Sequence, residues 1–273
     1  MFRICCFADE ISSDLNVQIN VMKKNKIKYV ELRSVWNKNV LDLSDNELDM
    51  VKEQFSDNGI KISSIGSPIG KVDINDDFEK HLDRFKRAVD IALKMETCYI
   101  RIFSFYMKKE ELDIYQQTVI NRLKQMIEIA RENSLVLLHE NEANIYGETS
   151  ARCLNLFNSL PYTNFRAVFD SSNFVVAGED VFNESFSKLK DYVEYIHVKD
   201  SKKGSGEMVV AGQGDGRIRE IFDELRDKEG MFISLEPHLT HAGKYRGFTG
   251  PELSEKALEA LQGILMELKI EFE

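Results

Sequence analysis

The feature that most constrains the fold of this chain is a regular alternation of short apolar runs with longer amphipathic stretches. The apolar runs begin roughly 25 to 40 residues apart, which is the length of one strand–loop–helix–loop unit. The runs that read as buried β-strands cover residues 2–7, 28–33, 60–66, 98–105, 135–140, 166–170, 195–200 and 231–236. Eight such units predict a (β/α)8 TIM barrel, in which the parallel strands are buried on both faces.

The stretches between these runs carry helix signals. Ser44 precedes Glu47 by three residues, which is a capping-box pattern, and Pro251 stands where the first turn of a last helix is expected. An open, doubly wound sheet is the main alternative, but it normally has a glycine-rich first turn, and "FADEISSD" contains no glycine. Only four prolines and no Gly/Ser-rich linker interrupt the 273 residues, so we expect one barrel domain over 1–273.

Composition narrows the classes of function. A formal net charge of −10 at pH 7 argues against binding to a nucleic-acid backbone, which normally requires a basic face. The four cysteines form no CxxC pair and lie in or beside apolar segments, which predicts buried, reduced thiols. The N-terminus lacks a signal-peptide pattern, and no run approaches the ~18 apolar residues of a membrane span. We therefore expect a cytoplasmic protein without nucleic-acid or membrane partners.

The last four predicted strands each end in a side chain that can bind a metal ion. These residues, called the quartet below, are Glu140 in "LLHENE", Asp170 in "VFDSSNF", His197 in "YIHVKD" and Glu236 in "SLEPH". The carboxyl ends of barrel strands meet at one mouth, where three carboxylates would repel one another unless a cation lay between them. The pattern predicts one divalent ion, with Mn²⁺, Mg²⁺ or Co²⁺ favoured by these ligands and Zn²⁺ as a further candidate. The alternative is that all four are ordinary helix caps or loop residues.

Period-two alternation along the strands places further side chains near the quartet. Lys199 shares a strand face with the quartet histidine, and it would hold a substrate oxygen or phosphate, or pair with a nearby acid. By the same alternation, the side chain of His238, two residues after Glu236, should also point into the barrel. Glu31 and Arg101 are charges within strands that must be paired, and they could pair with each other across the mouth.

The chain resembles the xylose isomerase-like TIM barrels of the sugar phosphate isomerase/epimerase family. The resemblance runs from "FADEIS" through "ELRSVWNKNVLDLSD", "SSIGSPIGK" and "IRIFSFY" to "LEPHL". It implies that the quartet binds one divalent metal ion and that Glu140 and Glu236 are catalytic. The implied reaction is isomerisation or epimerisation of a sugar or sugar phosphate through a metal-stabilised enediolate, with one glutamate removing a proton and the other returning it.

Two positions depart from the family pattern. Asn173 stands where several relatives carry a histidine that contacts the substrate, so its role is left open. Glu142 stands where many relatives have the histidine of an "ENH" motif, which leaves open whether Glu140 or Glu142 binds the metal. We favour Glu140, because it directly ends the apolar run.

Several polar or aromatic residues are expected to line the mouth and contact the substrate. They are Arg33, Trp36, Lys71, Arg101, Tyr106, Asn173, Lys199 and His238. Trp36 could stack on a sugar face. Lys71 belongs to the turn "SIGSPIGKV", which could cradle an anion or simply turn the chain. Relatives are often dimers or tetramers, so the resemblance is compatible with a homo-oligomer.

Three other functions are compatible with such a barrel to different degrees. A dehydratase acting on a keto-polyol or sugar needs the same metal and base, and differs only in whether the enediolate expels a hydroxyl group. A non-catalytic sugar-binding barrel predicts a damaged quartet, whereas all four members are present. The type IV apurinic endonucleases of the superfamily need many histidines, but this chain has five, and His81 lies in a helical stretch.

Overall fold

In the computed structural model, which describes residues 1–239 and 249–273, eight parallel strands close into a barrel. The strands are β1 Arg3–Cys6, β2 Tyr29–Leu32, β3 Lys61–Ile65, β4 Tyr99–Ile102, β5 Val136–Glu140, β6 Phe165–Asp170, β7 Val193–Val198 and β8 Phe232–Leu235. Each strand pairs with its neighbours in chain order, and β8 pairs with β1. The predicted (β/α)8 barrel is therefore confirmed, and the open doubly wound sheet is wrong.

Helices on the outside of the barrel connect successive strands. They are α1 Leu15–Lys24, α2 Asp45–Asp57, α3 Phe78–Lys94, α4 Leu112–Glu132, α5 Ser150–Ser159, α6 Ser171–Val176, α7 Ser187–Leu189, α8 Ile218–Leu225 and α9 Pro251–Glu267. The predicted capping box is confirmed: the Ser44 hydroxyl accepts from the backbone of Glu47, whose carboxylate accepts from the backbone of Ser44. Pro251 occupies the first turn of α9, as predicted.

Several strands are shorter than the apolar runs that predicted them. The run 98–105 contributes only Tyr99–Ile102 to the ladder, although Phe103 and Phe105 beyond it are fully buried. Their backbone N–H groups bond instead to the carbonyls of Ile69 and Gly70 in the turn after β3. Apolar side chains thus continue past the end of the strand because the loops at this end of the barrel are themselves packed.

The interior of the barrel is filled by side chains and forms a floor below the mouth. Cys5, Leu138, Val168 and Tyr195 are buried together there. The Tyr195 hydroxyl lies 3.0 Å from the Cys5 sulfur and 2.9 Å from the Ser63 hydroxyl. These side chains form a packed layer inside the barrel below the mouth.

The cysteines differ in one respect from the sequence prediction. All four are free thiols, and Cys5, Cys6 and Cys153 are buried, but Cys98 is exposed. Cys98 directly precedes β4, so it lies at the amino end of the barrel, where the strand has not yet entered the core. Among the described residues, no helix is both long and apolar enough to cross a bilayer.

Candidate metal centre

The four predicted ligands meet at the mouth of the barrel. One ligand atom from each quartet residue lies within 4.8 Å of the corresponding atoms of the other three. All four residues are at most 3% exposed. Each leaves one buried atom with no hydrogen-bond partner among the described residues: Glu140 Oε2, Asp170 Oδ2, His197 Nδ1 and Glu236 Oε2. Buried polar atoms normally form hydrogen bonds, so four convergent ones whose contacts are ion pairs instead fit a site that can hold a metal ion.

The register of the strands brings the quartet together. Asp170 lies directly opposite His197 in the ladder of β6 and β7. Ser234 lies opposite His197 on the other side, and Glu236 comes two residues later on the same face. Glu140 lies opposite the residue two before Asp170. Barrel strands are staggered in this way, so ligands that differ in level by two residues still point to one centre.

His197 is surrounded by carboxylates. Its Nδ1 atom lies 3.2 Å from Glu140 Oε1 and 3.6 Å from Glu236 Oε2, and its Nε2 atom lies 3.2 Å from Glu31 Oε2. Burial alone would favour the neutral imidazole, but the charges of Glu140 and Glu31 outweigh it and raise the pKa of His197 to about 10. The predicted pairing of Glu31 with Arg101 is therefore wrong, since Glu31 faces the histidine.

An arginine approaches each of the two glutamates of the quartet. Arg101 lies 3.2 Å from Glu140 Oε2, and Arg33 lies 2.6 Å from Glu236 Oε1. Burial favours the protonated form of Glu140, but His197 and Arg101 outweigh it and lower its pKa to about 2. Burial is likewise outweighed at Glu236, where the nearby cations hold the pKa well below its usual range. Both glutamates are thus carboxylates at neutral pH.

Lys199 reaches inward beside the quartet, as the alternation predicted. Its ammonium lies 2.7 Å from Asp170 Oδ2 and 3.8 Å from Glu236 Oε2, and the residue is only 7% exposed. Burial raises the pKa of Asp170 to about 6, although Lys199 favours the charged form. The sequence left two interpretations of Lys199 open, a contact with substrate or a pair with an acid. The structure shows the pair with an acid.

Sequence reasoning missed two acids of the site. Asp9 and Glu10 follow β1 and bind Arg33, at 2.7 Å from its Nε and 2.8 Å from its NH2 atom. Glu10 also lies 3.0 Å from the Nε2 atom of His238. The signal was present in "FADE", which places acids after the first strand as the quartet places them after the last strands.

A cavity of about 630 Å³ opens beside the quartet. Its wall includes Glu142, Asn173, Lys199, Met208, His238 and Leu239. Three of the predicted substrate contacts, Asn173, Lys199 and His238, therefore face the same space. Asn173 is fixed there, because its backbone N–H donates to Asp170 Oδ1 and its side-chain amide donates to the Asn141 carbonyl.

Glu142 and Lys71 pair with each other. Lys71 Nζ lies 2.8 Å from Glu142 Oε2, and the other oxygen of Glu142 accepts from the backbone of Ala143. Glu142 is absent from the cluster of potential metal ligands found in the described part of the chain, whereas Glu140 belongs to it. The geometry thus favours Glu140 over Glu142 as the ligand from strand β5.

The turn that carries Lys71 is packed against the next strand. Its Gly70 has a left-handed backbone (φ +90°), and a Cβ there would overlap the carbonyl of Phe103. The Gly70 N–H donates to Nε2 of His81 on α3, at 2.9 Å. This buried N–H is already used, so it is not available to an anion.

Trp36 and Tyr106 stand apart from the quartet. Trp36 lies at the turn of a small hairpin, Ser34–Val35 with Lys38–Asn39, and packs against the hydrophobic core. Tyr106 makes backbone bridges to Asp73 and Ile145. The contacts found in residues 1–239 and 249–273 include none between either aromatic side chain and the quartet.

The fold and the site together define a (β/α)8 barrel with a buried carboxylate–imidazole cluster that could hold a metal ion. The chain belongs to the xylose isomerase-like TIM barrel family, whose sequence model matches residues 19–264. A comparison with curated protein sequences gave no match.

Solved structures of similar fold include proteins of different activity. The probable 3-DHS dehydratase AsbF from Bacillus anthracis is 19% identical, with a TM-score of 0.77 over 96% of this chain and 99% of that chain. An L-ribulose 3-epimerase is 16% identical, with a TM-score of 0.73 over 98% and 96%. The IOLI protein with a binding zinc atom is 17% identical, with a TM-score of 0.71 over 97% of each chain. At these identities the likeness shows the fold alone.

Proposed function

We propose that this chain is a divalent-metal-dependent isomerase or epimerase that acts on a sugar or sugar phosphate. The observation that carries the proposal is the quartet, with four convergent buried atoms that lack hydrogen-bond partners beside an open cavity. Family membership supports it, as does the likeness of the fold to an L-ribulose 3-epimerase.

The quartet would hold one ion, with its three carboxylates and one imidazole as donors. Oxygen-rich sets of this kind favour Mn²⁺, Mg²⁺ or Co²⁺, and the imidazole also allows Zn²⁺. When bound, the ion would polarise the carbonyl and hydroxyl oxygens of the substrate, which makes the hydrogen on the adjacent carbon more acidic.

Glu140 and Glu236 would carry the proton. They come from β5 and the end of β8 and approach the same nitrogen of His197, so a substrate over the quartet would lie between them. One carboxylate would take the proton from carbon, and the other, after taking up a proton from a substrate hydroxyl group or from water, would return one to the adjacent carbon or to the opposite face. Arg101 and Arg33 would keep the two carboxylates ionised and oriented.

The cavity wall would orient the sugar. Lys199 and His238 can donate hydrogen bonds to substrate oxygens, and Asn173 is fixed at the same wall by its bonds to Asp170 and Asn141. Lys71 would act through its partner Glu142, which also lines the cavity. The stacking of Trp36 on a sugar face stays a prediction.

A sugar or keto-polyol dehydratase is the second candidate, supported by the likeness to a probable 3-DHS dehydratase. One of the same glutamates would take the proton from carbon and deliver it to the hydroxyl group that leaves from the next carbon, so that the substrate loses one water in total. The mass of the product separates the candidates, because an isomer keeps the mass of its substrate and a dehydrated product has lost one water.

The test is elemental analysis of the purified protein, followed by a screen of ketoses, keto-polyols and their phosphates with chromatographic separation of the products and mass detection. We expect one divalent ion per chain and a product of unchanged mass. A protein that takes up no divalent ion, or a product that has lost water, would contradict the isomerase proposal.

A further inference from the structure

We infer that Glu31 is a positioning residue for the metal centre. Its carboxylate accepts the Nε2–H of His197, so that in the neutral, metal-binding form of the imidazole the Nδ1 lone pair would face the other quartet members. The inference rests on the proposed metal site, and it assigns a function to a buried acid that the proton-transfer scheme does not use.

The two nitrogens of the imidazole face different partners. Nε2 lies 3.2 Å from Glu31 Oε2, and Nδ1 lies 3.2 Å from Glu140 Oε1 and 3.6 Å from Glu236 Oε2. Glu31 is 1% exposed and His197 is fully buried, so water does not compete for this contact. A neutral imidazole carries one N–H, and a carboxylate at Nε2 keeps that hydrogen away from the metal side.

A β-bulge brings Glu31 to this place. Val30 lies opposite Ile62 in the ladder of β2 and β3, but the next residue, Glu31, lies opposite Ser64. Ser63 is therefore an extra residue in β3, and bulges commonly re-aim side chains next to active sites. Without the extra residue, Glu31 would lie opposite a different position and its carboxylate would be displaced from the imidazole.

Two aromatic rings hold the imidazole in the same orientation. Phe7 and Tyr195 lie edge-to-face against it, with ring centroids 5.1 and 6.0 Å away. The Tyr195 hydroxyl is held by Ser63, which is the extra residue of the bulge, and by Cys5. The rings thus fix the plane of the imidazole, and Glu31 determines which nitrogen carries the hydrogen.

A purely structural explanation predicts a different effect on metal binding. If Glu31 only filled its place in the barrel interior, the nearly isosteric glutamine would fill it equally well, and the affinity for metal ions would stay the same. If Glu31 orients the ligand, its replacement weakens metal binding. The metal affinity of Glu31→Gln therefore separates the two explanations.

The experiment measures the affinity for Mn²⁺ and Co²⁺ by competition with a chelating dye, together with the visible spectrum of the Co²⁺ form. Glu31→Gln should bind both ions about 10- to 100-fold more weakly than the unmodified chain and shift the Co²⁺ spectrum. Glu31→Asp keeps the charge but withdraws it by one methylene, so it should also lose affinity. Glu179→Gln is the matched control. The Glu179 carboxylate accepts hydrogen bonds from the Ser150 backbone N–H and the Ser185 hydroxyl group, on the outer side of the barrel.

Circular dichroism would show that the variants are folded, and Glu31→Asp covers the case in which Glu31→Gln is not. Equal or tighter binding by Glu31→Gln, or by Glu31→Asp where only that variant folds, would overturn the inference and leave the proposed metal site intact. An unmodified chain that binds neither ion would overturn both proposals.

Discussion

At the scale of single residues, the two glutamates of the quartet differ in how they are held. Glu140 contacts one arginine, Arg101, whereas Glu236 contacts Arg33 and lies within 3.8 Å of Lys199. Arg33 itself is shared among three carboxylates, because it also binds Asp9 and Glu10. Glu236 is therefore part of a larger charge network than Glu140, although both face the same imidazole.

Replacement of either glutamate by glutamine should abolish turnover without unfolding the barrel. Glutamine has nearly the same shape but cannot accept the proton, and a positioned general base contributes about 10²- to 10⁴-fold to a rate. The measurement is kcat for Glu140→Gln and Glu236→Gln, with circular dichroism to verify the fold and Glu179→Gln as control. Substantial turnover in both variants would contradict the proposed proton transfer by these two glutamates.

Two buried histidines outside the quartet predict the acid sensitivity of the fold. Burial lowers the pKa of His81 and that of His139 to about 4 each, below the value of about 6.5 for an exposed histidine. The unfolded chain therefore takes up protons before the folded chain does. The two neutral histidines make their full contribution to the free energy of unfolding above about pH 6.5. This contribution is lost as the pH falls through about 4.

His81→Gln should make the free energy of unfolding less dependent on pH in this range. The glutamine oxygen can still accept the Gly70 N–H, but it does not titrate. Urea unfolding at pH 7.5 and 4.5 would measure the difference for both chains. The assignment to His81 fails if the variant loses as much stability on acidification as the unmodified chain.

At the scale of elements, the turn after β3 depends on one glycine. Gly70 combines a positive φ with close contact to Phe103, whereas Gly178 has a similar φ of +85° but no atom within 4 Å of a Cβ. Gly178→Ala should cost only the backbone strain, roughly 1–2 kcal/mol. Gly70→Ala should cost clearly more, because the added methyl group also overlaps the Phe103 carbonyl. Urea unfolding of both variants measures the difference, and equal losses would contradict this account.

The loop after β7 is organised by Asp200. This carboxylate is 1% exposed and accepts four backbone N–H groups, from Ser201, Gly212, Gly214 and Gly216. The loop also contains the strand pair Asp200–Ser201 with Met208–Val209, which places Met208 on the cavity wall. Asp200 thus connects the shape of the loop to the shape of the cavity.

Asp200→Asn should loosen this loop. In asparagine an NH2 group replaces one of the two acceptor oxygens of the carboxylate. Buried backbone N–H groups therefore lose their partners, at a cost of about 1–3 kcal/mol. Hydrogen exchange at Gly212, Gly214 and Gly216 should become faster, and the free energy of unfolding should fall. Asp215→Asn in the same loop is the control, because Asp215 is exposed and, within residues 1–239 and 249–273, accepts one hydrogen bond, from the Lys203 N–H. Unchanged exchange in Asp200→Asn would contradict the assignment.

The quartet could be predicted from the sequence, but its surroundings could not. Parallel strands place their carboxyl ends at one mouth, so the residue at the end of each late strand was enough to predict that these four side chains meet. The partner of Glu31 depends on a bulge between Val30 and Glu31 and on the stagger of the barrel, and neither has a sequence signature. Arg33 was expected to bind substrate, but it contacts Asp9, Glu10 and Glu236, which only the closed barrel brings together.

At the scale of the whole molecule, the quartet connects four of the eight strands, β5 to β8. A bound ion would therefore stabilise the folded chain, by about 2.7 kcal/mol at a free concentration 100 times the Kd. We expect Tm to rise on addition of Mn²⁺ or Co²⁺ and to fall back with EDTA. The same titration of a Glu140→Gln, Asp170→Asn double variant is the control, and an equal rise there would place the stabilising ion elsewhere.

The loop held by Asp200 also limits which substrates the proposed function would allow. In many (β/α)8 barrels, backbone amides near strands seven and eight bind the phosphate of the substrate. Here three glycine amides of that region already face an internal carboxylate. A phosphoester reaching them would meet negative charge, so it would need to point its anionic end in another direction, whereas an unesterified ketose faces no such restriction.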